Sequence, residues 1–127
     1  MATSIYLYDL HQNYKNWLNE LALDNDEIEH FKVNLEKLVL ANNKTEITAR
    51  IEQFQNRFIT HLNELQILRH DIRAAVSLIE KSISDNPVAV DHRKTEVDTI
   101  LEDRMNQFQK LFKDLKIDYN GFLAKTL

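Results

Sequence analysis

Two polar residues, Asp24 and His61, fall on apolar stripes of this sequence and have the side chains best suited to chemistry. An imidazole titrates near neutral pH and a carboxylate can orient it, so this pair could transfer protons or help to bind a metal or small ligand. A polar residue in a helical seam can instead fix the register between helices. We favour this second interpretation and expect a buried polar layer of Asp24, His61 and Arg104.

Arg104 interrupts the third apolar stripe and could bind an anion. A guanidinium can instead stack on an aromatic ring, here Trp17 or Tyr14, while its charged end pairs with Asp71 or Asp103. We favour this structural interpretation, in which Arg104 lies at the edge of the core.

The other histidines do not form a metal-binding pattern. The spacing Glu27-x-x-His30 is used by di-metal helical bundles, where it occurs on two helices, but here it occurs once. His61-x-x-Glu64 is likewise unpaired, and the chain has no cysteine. The sequence also lacks a Gly-rich phosphate loop and a Ser/His/Asp arrangement at a strained turn. It therefore predicts no metal, no cofactor and no enzymatic activity.

Three long stretches of the chain alternate apolar spacings of three and four residues. This spacing keeps one stripe of a helix against a partner helix and predicts an all-α protein with coiled-coil-like heptad packing. The first stretch comprises Leu7, Leu10, Tyr14, Trp17, Leu21, Asp24, Ile28, Phe31, Leu35 and Leu38. The second comprises Ile47, Ile51, Phe54, Phe58, His61, Leu65, Leu68, Ile72, Ala75 and Ile79, and the third comprises Val97, Leu101, Arg104, Phe108, Leu111 and Leu115.

Polar breaks at residues 42–45 and 84–87 separate these stretches. Thr45 can cap a helix, and Pro87 disfavours helix in the residue before it. The similar lengths of the stretches predict an elongated antiparallel bundle of three helices, arranged up-down-up. We expect one domain, 1–127, with helices at about 4–41, 45–84 and 88–118 and a C-terminal tail at 119–127.

The alternative is a four-helix bundle in which the first helix breaks at Asp24–Asp26. Asp24 followed by Glu27 resembles a capping box, which would begin a new helix there. However, the heptad phase passes through Asp24 without a slip, and no glycine or proline lies there to end a helix. We therefore favour one continuous first helix.

Composition narrows the function classes. The net charge is −4 and the cations are scattered among acids, so we expect no nucleic-acid partner. The chain starts without a signal-peptide pattern and has no apolar run of about 20 residues, so we expect no membrane insertion and a cytoplasmic location.

Four apolar residues fall outside the predicted seams of the first two helices: Val33, Leu40, Ile59 and Ile67. Together they exceed what three helices should bury, so they predict an interaction surface for a helical partner or for a second copy about a two-fold axis. The leading hypothesis is a non-enzymatic, homodimeric or partner-binding bundle. The alternative is a metal- or small-ligand-binding bundle centred on Asp24 and His61.

The run from Leu10 to Glu20, with Trp17 in its seam, resembles the first helix of a spectrin repeat. The third helix departs from that pattern, since it carries Met105 and Phe108 where such repeats usually have another tryptophan. The resemblance implies three long helices and a scaffold or spacer role.

Overall fold

The structure is a computed structural model that describes residues 4–41, 44–88 and 90–126. It confirms an all-α bundle of three helices packed against each other. Helix α1 spans Leu7–Ala41, α2 spans Thr45–Asp85 and α3 spans Thr99–Thr126.

The directions of the helices follow from the contacts between them. His11, near the start of α1, lies 3.0 Å from Glu80, near the end of α2. Arg57, in the first half of α2, lies 3.0 Å from Asp118, in the second half of α3. Both neighbouring pairs are therefore antiparallel, and the order is up-down-up as predicted.

The first helix is continuous through Asp24, which confirms the three-helix prediction over the four-helix alternative. The residues that could have formed a capping box have other partners. Asp24 accepts a hydrogen bond from Gln109 of α3, and Glu27 lies 3.6 Å from Lys116. With no glycine or proline to stop it, the helix propagates through this polar segment while Leu21 and Ile28 stay fully buried.

The prediction that the third helix begins at residue 88 is wrong. Val90–His92 forms a short 3-10 turn instead, and strand β2, Lys94–Glu96, pairs antiparallel with strand β1, Ser4–Tyr6. Arg93 lies in the chain between the 3-10 turn and strand β2. Its guanidinium donates to the carbonyl oxygens of Ser82 and Asn86 at the end of α2. These contacts tie the connection to the end of α2, and α3 starts only after it, later than the proline suggested.

The C-terminal tail predicted at 119–127 is also wrong, since α3 begins after Asp98 and continues to Thr126. The Asp98 carboxylate accepts a hydrogen bond from the backbone N–H of Leu101 at 2.9 Å, as an N-cap does. At the other end the helix passes through Gly121. A glycine costs about 1 kcal/mol in a helix, and burying Tyr119 and Phe122 outweighs that cost.

The seam of α3 is shifted from the predicted one. The sequence placed Arg104 and Leu111 in the seam, whereas Met105 and Phe112 are buried and Leu111 is exposed. The buried α3 seam comprises Leu101, Met105, Phe108, Phe112, Leu115, Tyr119 and Phe122.

In the described part of the chain, no helix combines the length and apolarity that crossing a bilayer requires.

Candidate functional site

The predicted pair of Asp24 and His61 does not form. The half-buried Asp24 carboxylate accepts a hydrogen bond from the Gln109 side chain at 2.7 Å. Burial raises the pKa of Asp24, while the hydrogen bond from Gln109 and the charge of Lys116 act in the opposite direction. Asp24 therefore joins α1 to α3 and does not orient the imidazole.

His61 packs its ring against aromatic side chains of α3. The ring centroid lies 5.5 Å from that of Phe108 and 6.1 Å from that of Phe112. The Nε2 atom of the imidazole is buried without a hydrogen-bond partner among the described residues. Burial lowers the pKa of His61, with the nearby Arg57 charge as a smaller cause in the same direction. The ring is accordingly neutral at physiological pH.

Arg104 belongs to a third, separate contact. Its guanidinium donates to the Asp71 carboxylate at 2.8 Å, and this hydrogen bond is the main cause of the lowered pKa of Asp71. The two predicted aromatic partners, Trp17 and Tyr14, pack against each other with ring centroids 5.2 Å apart.

The predicted buried polar layer of Asp24, His61 and Arg104 is therefore corrected. All three side chains are half-buried, and they have three different sets of neighbours. The shifted seam of α3 explains part of the difference. Because Met105 takes the seam position, Arg104 lies on the flank and reaches Asp71 at the surface.

No metal centre is assembled within the described ranges, where no three His, Asp or Glu side chains lie together as ligands. Glu27 and His30 illustrate why. Glu27 lies beside Lys116 and His30 is exposed, so the Glu-x-x-His spacing does not project into the core.

A cleft runs between the second and third helices, and we call it the α2–α3 groove. Its first part has a volume of about 510 Å³. Buried Leu68 and Phe108 and half-buried His61 form its floor. Ile100 and Leu111 lie on its rim, with 72% and 47% of their surfaces exposed.

The groove continues along the same two helices past Arg57 and Asp118, which form an ion pair at 3.0 Å. Beyond this pair it reaches Arg50 and Lys125 near the ends of the helices. The three hollows share lining residues, so they form one continuous face. This face was not predicted from the sequence, because Leu111 was expected in the core. A sequence pattern for this face was nevertheless present, since Ile100 and Leu111 are eleven residues apart and project from one side of the helix.

Charge is distributed unevenly along the groove. Glu64, Asp103 and Arg104 line its first part, and because the Arg104 charge is neutralised by Asp71, we call this part the acidic half. Arg50 and Lys125 line its last part, which we call the basic half. Apart from Arg104, none of these lining residues forms an ion pair among the described residues, although Arg50 packs against the Phe54 and Phe122 rings. Each half therefore presents unneutralised charge to a molecule that enters the groove.

The surface predicted from the sequence is exposed but separate from the groove. Val33, Leu40, Ile59 and Ile67 have 47%, 89%, 47% and 53% of their surfaces exposed, and none of them lines the groove. Comparison with protein-family models, with curated protein sequences and with solved structures finds no match for this chain.

Proposed function

We propose that this protein is a non-enzymatic helical bundle that acts through protein–protein contact, with a second copy of itself or with a helical partner. The observation that carries the proposal is the α2–α3 groove. Its apolar floor and its exposed rim residues Ile100 and Leu111 are the features that an amphipathic helix uses to dock into a cleft.

Two further features support contact rather than catalysis. The polar side chains that could do chemistry have mutually independent partners, since Asp24 binds Gln109 and Arg104 binds Asp71. Exposed apolar residues on α1 and α2, represented by Val33, give a second candidate contact surface.

Site-specific photo-crosslinking tests the proposal in the cells that make the protein. A photoreactive phenylalanine derivative replaces Leu111 on the groove, Ile59 on the surface predicted from the sequence, or Leu23 as a control. Leu23 is exposed and lies outside the groove. We expect the probe at Leu111 to give a discrete adduct heavier than the 15.0 kDa chain, and the probe at Leu23 to give none.

The outcomes separate the two surfaces. An adduct from the probe at Ile59 without one from the probe at Leu111 would mean that the protein uses the surface predicted from the sequence. Absence of adducts from both positions would contradict a protein-binding function.

A second candidate function is small-ligand binding, and the volume of the groove favours it. About 510 Å³ lies within the range of roughly 300 to 1,000 Å³ that ligand pockets occupy. The ligand would lie against His61 and Phe108, not between Asp24 and His61 as the sequence suggested. Mass spectrometry of the native protein would reveal a retained small molecule. If the ligand is a metal ion, elemental analysis should find it in stoichiometric amount, and a chelator should lower the melting temperature.

A further inference from the structure

We infer that the α2–α3 groove binds a second copy of this chain, docked antiparallel about a two-fold axis so that the acidic half of each copy faces the basic half of the other. This inference rests on the proposed function of the groove as a protein-contact surface. It differs from the dimer that the sequence suggested, which would have used Val33 and Ile59.

The first argument is the spacing of the charges. Arg50 precedes Thr60 on α2 by ten residues, or about 15 Å along the helix. Asp71 follows Thr60 by eleven residues, or about 16 Å, and its ion pair with Arg104 brings Asp103 to that level. A two-fold axis through the level of Thr60 therefore places the basic half of one copy against the acidic half of the other.

The second argument is the chemical character of the residues at the centre of the α2–α3 groove. Near the level of Thr60 the groove contains the Arg57–Asp118 ion pair, whose charges neutralise each other, and the carboxylate of Asp114. Leu111, an exposed apolar residue, lies at the same part of the groove. The centre is therefore partly apolar and carries, among the described residues, one carboxylate outside an ion pair, while the opposite charges at the two ends of the groove make this face self-complementary, as a two-fold interface must be.

The third argument is size. The stretch of α2 from Arg50 to Asp71 is about 32 Å long, and two adjacent helices are about 20 Å wide. This face covers about 640 Å², which approaches the roughly 800 Å² per partner of a standard stable interface. Docking would also cover the exposed side chain of Leu111.

Charge reversal tests the inference on the purified full chain by sedimentation and light scattering. The wild type should associate with increasing concentration from one 15.0 kDa chain to two. The double variant Arg50→Glu/Lys125→Glu makes both halves acidic, and Glu64→Lys/Asp103→Lys makes both halves basic. Each should raise the Kd for self-association about tenfold or more, because like charges then face each other.

Mixing the two variants is the decisive measurement, since the acidic and basic grooves should then form a heterodimer. The matched control for the acidic variant is Lys37→Glu/Lys81→Glu, which makes the same change in net charge at exposed positions outside the groove. It should dimerise like the wild type. Circular dichroism of every variant verifies that the helices are intact.

The inference is overturned if the wild type remains a monomer up to about 1 mM. It is equally overturned if the reversed variants dimerise like the wild type, or if their mixture stays monomeric. A monomeric wild type whose Leu111 probe still captures another polypeptide would refute the second copy but keep the proposed function. Absence of adducts from both probed surfaces would refute the proposed function itself.

Discussion

Replacing Tyr119 by phenylalanine should stabilise the protein. The side chain is fully buried, with its ring centroid 5.0, 5.6 and 5.2 Å from those of Phe31, Phe54 and Phe58. Its hydroxyl has no hydrogen-bond partner among the described residues, and burial raises its pKa. The unfolded chain exposes this hydroxyl to water, so folding breaks a hydrogen bond without replacing it.

An unsatisfied buried polar group costs about 1 to 3 kcal/mol. Tyr119→Phe removes that group and keeps the ring contacts, so we expect the free energy of unfolding to rise by about 1 kcal/mol. For a chain of this length the melting temperature should rise by about 4 °C. Urea unfolding followed by circular dichroism gives the stability change, and the m-value should stay constant.

The matched control is Tyr8→Phe, because half of the Tyr8 surface is exposed and water already satisfies its hydroxyl. That variant should unfold within about 0.5 kcal/mol of the wild type. A loss of stability in Tyr119→Phe would show that the hydroxyl has a partner, and would refute the reasoning.

Three other predictions address stability. The folded-state pKa of Asp24 lies above its unfolded value, so ionisation of this carboxyl costs stability once the pH rises through the folded pKa. Asp24→Asn should therefore stabilise the protein at pH 7 by roughly 0.5 kcal/mol, a value discounted for the partial exposure of the side chain. Urea unfolding at pH 7 and at pH 3 measures this gain, and an equal gain at both pH values would contradict the prediction. The folded-state pKa of His61 lies below 6.5, so its stability contribution is complete above about pH 6.5 and is lost as the pH falls from there toward the folded pKa. His61→Phe should weaken the loss of stability over that window, and an unchanged melting-temperature profile against pH would disprove this origin. Ile28→Ala should lower the free energy of unfolding, measured in urea, by about 2 to 5 kcal/mol because Ile28 is fully buried. Leu23→Ala, at an exposed site of the same helix, should change it by no more than about 0.5 kcal/mol. Equal losses in the two variants would contradict the assigned burial.

The continuity of the first helix could be predicted from the local sequence pattern. Its heptad phase runs unbroken across Asp24, and the only proline and glycine lie elsewhere, so continuity was predictable. The start of α2 was predictable from the polar break at residues 42–45, of which 42 and 43 lie outside the described residues; α2 begins at Thr45, although Lys44 and not Thr45 takes the N-cap position. These features depend on residues a few positions apart, whose contributions can be read directly from the sequence.

The connection before α3 was not predictable from local pattern. Pro87 suggested a helix start, but Thr95 pairs with Ile5 of the distant first strand. A strand of three residues has too little alternation to be recognised, and its hydrogen bonds form only when the bundle brings the chain ends together.

The sequence by itself determined that three long amphipathic helices form and that they fold back on each other at polar breaks. Tertiary structure decided which face of α3 is buried, because Leu111 and Phe112 are both apolar and either could have entered the seam. Packing selected Phe112 beside His61 and left Leu111 on the groove. The groove and its opposite charges depend on how α2 and α3 pack against each other, and residue spacing within one helix does not encode that relation.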